Sequence, residues 1–205
     1  MARGDWIMAN VIVRLATAED ASAIADIYHD YVAHTVISFE RTPPTEQEME
    51  RRIISCCAVY PFLVCTVDDR VVGYAYATRQ MERAAYDWNA EVSVYLDKTI
   101  QGKGVGRALY EALEKLLRAM GVVNLYARMA EPNPRSKQLH VAMGYTEIGR
   151  LHKTGFKQGK WWDVIYFEKH LALHDTDHGP IRSVRELDPA LVEEILSYAV
   201  QQVRL

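Results

Sequence analysis

Cysteine is scarce in this chain: its 205 residues include three, Cys56, Cys57 and Cys65, and none stands in a Cys-x-x-Cys pair. An odd count without metal-type spacing gives neither a disulfide framework nor a zinc ligand set, so the thiols read as small buried apolar groups. Long apolar runs are missing too, and nothing approaches the roughly 20 consecutive apolar residues of a membrane span. The stretch from Met1 to Trp6 lacks the apolar core of a signal peptide, so a cytoplasmic protein is expected. Basic charge is not in excess: 24 Lys and Arg face 27 Asp and Glu, for a net charge of -3. Neither nucleic acid nor an anionic membrane is expected as a partner. No repeat or low-complexity tract interrupts the chain.

What is present is an ordinary globular composition, 49% hydrophobic and 25% charged, at a length suited to one well-buried core with a small appendage. Val11 to Ala16 alternates like a half-buried strand. A helix follows, with Ile24, Ile27, Tyr28 and Tyr31 at helical spacing. Thr45 caps a second helix carrying Met49, Ile53 and Ile54, which Pro61 ends. Phe62 to Val67 and Val71 to Thr78 form a hairpin across Asp68-Asp69-Arg70. A strand at Glu91 to Leu96 leads through a glycine-dense loop into a long helix. Val105, Leu109, Leu113, Leu116, Leu117 and Met120 make its apolar stripe, and Gly121 its C-cap. A strand at Val122 to Arg128, a short helix at Pro134 to Met143, and a hairpin of Tyr145 to Lys153 with Trp162 to Leu171 complete the pattern. The order β-α-α-β-β-β-α-β-α-β-β predicts an α/β fold, with helices on the faces of a mixed sheet. Residues 1–171 read as one domain and 172–205 as a linker with a helical extension. The apolar stripe of that extension, Leu191, Ile195, Leu196, Ala199 and Val200, must dock on the domain or on a second subunit.

The loop Gln101-Gly102-Lys103-Gly104-Val105-Gly106-Arg107 is the most informative stretch. At a helix N-terminus the first amides have no intrahelical acceptor, and together with the positive end of the helix dipole they favour a phosphate. The loop lacks the Gly-Lys-Ser/Thr ending of a P-loop and does not fit Gly-x-Gly-x-x-Gly. What remains is Gln-x-x-Gly-x-Gly.

That hexad, opening a long helix after Val94-Tyr95-Leu96, resembles the acetyl-CoA pyrophosphate motif of GNAT-type N-acetyltransferases. Asn133, the helix from Ser136 to Met143, and Gly144-Tyr145 resemble a second block of the same family. Three further segments, 86–91, 139–145 and 155–164, resemble the phosphinothricin acetyltransferase branch. The resemblance spans about residues 11–171 and implies a GNAT-like fold, acetyl-CoA as co-substrate and no metal. It also implies a small amino-acid-like amine of the phosphinothricin, methionine sulfoximine or methionine sulfone type as acceptor, and a homodimer. Two other readings stay open: a non-catalytic acyl-CoA binding or sensing module, and an acetyltransferase for a polyamine or a protein N-terminus.

The resemblance also suggests site roles. The backbone of Val94, Tyr95 and Leu96 would meet the pantetheine amides, and the loop from Gly102 through Lys103, Gly104, Val105 and Gly106 to Arg107 the pyrophosphate. Asn133 would hydrogen-bond the pantetheine arm. An α-amino group is mostly protonated at neutral pH, so a base is required. Glu91, beside Tyr86 and Trp88, is the expected one, acting directly or through water. His140 stands where many members of the wider family have a tyrosine and is the expected proton donor to the departing thiolate, or a second base. Arg79 and Lys157 are candidates for a substrate carboxylate or phosphinate, and Trp88 and Trp161 for the pocket wall. The cluster His174, Asp175, Asp177 and His178 reads as solvated linker rather than a metal site.

Overall fold

The computed structural model describes residues 9–174 and 178–205. The stretch from Met1 to Trp6 and the linker residues Asp175 and Asp177 lie outside the described residues. The elements are β1 (Val11–Leu15), α1 (Ala21–His34), α2 (Glu46–Cys57), β2 (Phe62–Val67), β3 (Arg70–Arg79), β4 (Asn89–Leu96), α3 (Val105–Met120), β5 (Asn124–Ala130), α4 (Pro134–Ala142), β6 (Thr146–Lys157), β7 (Lys160–His170) and α5 (Pro189–Val200).

Local chemistry accounts for most boundaries. Thr45 Oγ1 accepts from the Glu48 N–H and starts α2. Asp68 and Asp69 both take left-handed backbone (φ 49° and 63°), the conformation a tight two-residue hairpin needs to match strand twist. Asn133 Oδ1 accepts from Ser136 N and starts α4. The final hairpin is longer than its alternation suggested, because it turns at Gln158-Gly159 and not before Trp162.

The seven strands form one mixed sheet in the order β1-β2-β3-β4-β5-β7-β6. Neighbours are antiparallel except β4 and β5, which run parallel and pair only through Asn89 with Asn124, Ala90 with Leu125 and Glu91 with Tyr126. Beyond Glu91 the two strands part, and β5 continues paired to β7 as far as Ala130 and Val164. This split positions the site.

Each face of the sheet carries its own core. α1 and α2 bury Ile24, Val32, Met49 and Ile53 against Phe62, Val64 and Tyr74. On the other face α3 buries Leu109, Leu113, Leu116 and Leu117 against Ala75, Val92, Leu125 and Phe167. α5 adds Ile195 and Ala199 to this second core, and Tyr198 sets its ring 3.5 Å beneath the Lys115 ammonium of α3. The thiols are free, and burial pushes Cys56 up to about 12 and Cys65 up to about 11.

Candidate active site

A cleft of about 680 Å³ opens where β4 and β5 part, walled by both strands, the glycine loop with the start of α3, and α4. Strand alternation decides what β4 offers it. Asn89 O accepts from Gln80, the residue just after β3, and the Asp97 N–H donates to Val72 of β3. The alternate residues Val92, Val94 and Leu96 therefore turn their N–H and C=O toward the gap. Val94 thus has a free backbone edge, as the sequence suggested. Leu96 does not, because the Tyr31 hydroxyl donates to its carbonyl (2.7 Å) and accepts from its N–H (3.2 Å). Tyr95 is also corrected: its backbone pairs with β3, and its ring lies among Tyr28, Tyr31 and Tyr74.

The glycine loop faces the cleft through Gly102, Gly104, Gly106 and Arg107. Gly102 (φ 83°) and Gly104 (φ 82°) are both left-handed, which costs other L-residues about 1–2 kcal/mol. No side chain caps α3, so its first amides keep their capacity for an anion. Val105 turns its side chain into the core, leaving only its N–H for such a role. Lys103 presents its carbonyl to Arg204. The Asn133 side-chain oxygen caps α4, which leaves Nδ2 as its group for a ligand at the cleft wall.

Glu91 lies on the opposite face of the sheet from this cradle. Period-two alternation sends Ala90 and Val92 to the α3 core and Glu91, Ser93 and Tyr95 to the α1–α2 side. Arg128 of β5, on that same side, donates Nε to Glu91 Oε1 (2.8 Å) and holds Nη2 2.8 Å from the same oxygen. Oε2 is left to meet a water or an amine. Arg128 lines the cleft, while Thr78, opposite Glu91 across β3, lines a second cavity of about 750 Å³ on the α1–α2 side with Tyr28, Arg52, Tyr76 and Arg79. Glu91 lines neither cavity itself and stands between Arg128 of the one and Thr78 of the other. Of the aromatic residues expected beside it, Tyr86 is exposed and the Trp88 indole donates to the Gly179 carbonyl of the tail; its register partner on β5 is Tyr126.

His140 is buried at the cleft floor, stacked on Phe167. Its Nδ1 lies 2.8 Å from the Ser136 carbonyl, which can only accept, so Nδ1 carries the proton. Nε2, 3.1 Å from the Tyr110 hydroxyl, is then the acceptor for that O–H. Burial lowers the imidazole pKa below 6.5, against the opposing pull of the Ser136 bond. A neutral ring with both nitrogens engaged does not fit the proton-donor role expected from sequence. The unfolded chain therefore protonates this histidine before the folded one does, and stability present above about pH 6.5 is lost as pH falls below it. Thermal unfolding from pH 8 to 5 should show that loss, and His140→Gln should reduce it.

The remaining candidates are redistributed. Lys157 is buried, its ammonium donating to Val32 O (2.6 Å) and Ser38 O (2.7 Å); it ties β6 to α1 and the loop after it and lines neither of the two cavities. Trp161 is 59% exposed beside Phe156 on the β6–β7 hairpin, away from the cleft. Arg79 reaches the second cavity but is paired with Asp87. Sequence reasoning missed Tyr31, Tyr110 and Arg128, all at the cleft. Tyr110 was hidden by its place on the buried face of α3, and Arg128 by a pairing that only the parallel register creates.

A split between parallel strands, beside a helix whose bare N-terminal amides face it, defines a site for an extended phosphorylated carrier. The acetyltransferase (GNAT) domain profile matches residues 13–166, and the chain belongs to that family. Within it the chain stands with the phosphinothricin acetyltransferases. The Streptomyces viridochromogenes phosphinothricin N-acetyltransferase is 36% identical over 177 residues, covering 86% of this chain and 96% of the relative. The Salmonella typhimurium L-methionine sulfoximine/L-methionine sulfone acetyltransferase is 30% identical, covering 79% and 95%. The Sinorhizobium meliloti phosphinothricin acetyltransferase, solved in complex with AcCoA, superposes with a TM-score of 0.78 at 34% identity, covering 84% of this chain and 94% of that one.

Proposed function

We infer that this protein transfers the acetyl group of acetyl-CoA to the amino group of a small amino-acid-like acceptor of the phosphinothricin, methionine sulfoximine or methionine sulfone type. The observation that carries this reading is the cleft at the β4–β5 split, which reaches from the glycine loop on the α3 side to Ser93 and Arg128 on the α1–α2 side, where Arg128 holds Glu91. Acetyl-CoA would lie in the cleft, its pyrophosphate on the amides from Gly104 to Arg107 and its pantetheine along the Val94 edge, near Asn133. The thioester would then meet the amine at the split.

In the reaction, the neutral amine attacks the thioester carbon and forms a C–N bond. Oε2 of Glu91, directly or through one water, takes the proton that nitrogen sheds. Collapse of the tetrahedral adduct breaks the C–S bond, and the thiolate takes its proton from water. The Tyr110–His140 pair shows the cleft only acceptor oxygen lone pairs, so its part is to shape the floor. Arg51, Arg52 and Arg79 line the second cavity and are the candidates there for a substrate carboxylate, Arg52 being shared with Glu40 and Glu48 and Arg79 with Asp87.

Residues 1–171 form the acetyltransferase domain in this reading, and 172–205 an extension of it. The protein acts in the cytoplasm; no helix among the described residues is long and apolar enough to cross a membrane. We also infer a homodimer. β6 is an edge strand, and Ile148, Leu151, Phe156 and Trp161 are exposed on its hairpin. Such a run of apolar side chains on an open edge favours a partner. Light scattering should give twice the chain mass for the wild type and a monomer for Trp161→Glu.

Free-thiol release from acetyl-CoA across a panel of amino acids and their analogues tests the reaction. Release with phosphinothricin or the sulfoximine well above the no-acceptor blank is expected. Tight acetyl-CoA binding with release at the blank rate for every amine would favour the sensing module instead.

A further inference from the structure

Residues 167–205 lie beyond the stretch that the family profile matches, yet the chain after α5 returns to the glycine loop. Gln202 and Val203 continue the helical turn from α5, and Val203 packs against the α3-side core. The Arg204 N–H then donates to the Lys103 carbonyl at 2.8 Å. Next to this bond, a Cβ on Gly104 would lie 2.9 Å from the Gln202 carbonyl oxygen. Gly104 is thus confined twice, by its left-handed backbone and by the tail against it.

The bond has a stereochemical consequence. The Lys103 carbonyl and the Gly104 N–H belong to one planar trans peptide, so they point in opposite directions. Holding the carbonyl on the tail side aims the N–H away from the tail, and Gly104 lines the cleft. With two glycines flanking Lys103, that peptide would otherwise rotate at little steric cost. α5 supplies the rigid mount, through Ile195 and Ala199 in the core and the Lys115–Tyr198 contact.

We propose that the segment from Gln202 to Arg204 is a positioning element for the cofactor. Through the backbone N–H of Arg204 it fixes the Lys103–Gly104 peptide, so that the Gly104 N–H is pre-aimed at the pyrophosphate. The proposal rests on the reading of the loop as a pyrophosphate seat. It gives the extension a task in binding that the domain alone does not perform, while the exposed Arg204 side chain takes no part.

The test compares wild type, Arg204→Pro, which lacks the donor, and Arg204→Ala, which restores it. Acetyl-CoA dissociation constants come from calorimetry, and steady-state kinetics are run with acetyl-CoA and with S-acetyl-pantetheine, which has no pyrophosphate. Arg204→Pro should weaken acetyl-CoA binding about tenfold, the scale of one lost hydrogen bond to a charged group. Its kcat at saturating acetyl-CoA and its kcat/KM for S-acetyl-pantetheine should match wild type, and Arg204→Ala should recover wild-type affinity. If Arg204→Pro does not fold, a semisynthetic chain N-methylated at Arg204 removes the same donor without adding a charge and is read the same way. Wild type that fails to bind acetyl-CoA overturns the pyrophosphate reading itself. Wild type that binds, with Arg204→Pro binding equally well or losing both thioesters alike, overturns the proposal alone.

Discussion

Glu91→Gln is expected to lower kcat about a hundredfold to ten-thousandfold, the usual range for loss of a positioned general base. The substitution keeps the size of the side chain and a hydrogen-bond acceptor for Arg128, but the amide cannot take a proton from the amine. Its effect should fall on the chemical step alone. The pyrophosphate cradle and the Val94 edge lie toward the α3 face and touch neither atom of the changed group, so the acetyl-CoA dissociation constant should stay within about twofold of wild type. Raising pH toward the pKa of the acceptor amine should recover part of the rate, because the variant then receives its substrate already neutral. Steady-state kinetics beside calorimetry separate the two quantities. Equal losses of binding and rate would show that Glu91 holds the structure of the split and does no proton transfer.

Lys157→Met should act on stability. The ammonium is buried and donates to two carbonyls, Val32 O at the end of α1 and Ser38 O in the following loop. Methionine fills most of the volume but leaves both acceptors without a donor, at about 1–3 kcal/mol each. A combined loss of about 2–6 kcal/mol corresponds to a fall in Tm of about 4–24 °C for a chain of this size. Burial lowers the ammonium pKa, so the wild-type contact is itself partly offset and the lower half of that range is favoured. A lysine that held substrate would behave otherwise, raising acceptor KM with Tm unchanged. Calorimetric unfolding and acceptor KM, measured on the same preparation, distinguish the two roles.

These two residues also show what was legible in the sequence. The strand, glycine loop and long helix around residues 91–120 could be read directly, because period-two alternation, left-handed glycines and an apolar helical stripe are all local. The same alternation puts Glu91 on one sheet face and Val92 on the other. It does not say which strand lies alongside. Arg128 meets Glu91 only because β4 and β5 pair in parallel for three residues before parting, a pairing reached through the α3 crossover that joins them. Lys157 was assigned to the substrate for want of that kind of information: its acceptors lie on α1 and its loop, more than a hundred residues away. Trp88 failed for the same reason, its indole being taken by Gly179 from the tail.

The tail is the sharpest case. Its amphipathic period forecast a docked helix, and α5 does dock on α3 and β1. Nothing in its composition announced that residues just after the helix would reach the glycine loop, since the bond to Lys103 is made by backbone, which every residue but proline offers.

In the proposed reaction cofactor and acceptor approach the β4–β5 split from opposite faces of the sheet. A crystal structure with CoA and the N-acetylated product bound together tests this most directly. The pyrophosphate should lie on the amides of Gly104 to Arg107, the pantetheine on the Val94 edge, and the new amide nitrogen within hydrogen-bond or one-water reach of Glu91 Oε2. Product bound on the α3 face, or CoA seated away from the glycine loop, would contradict the account.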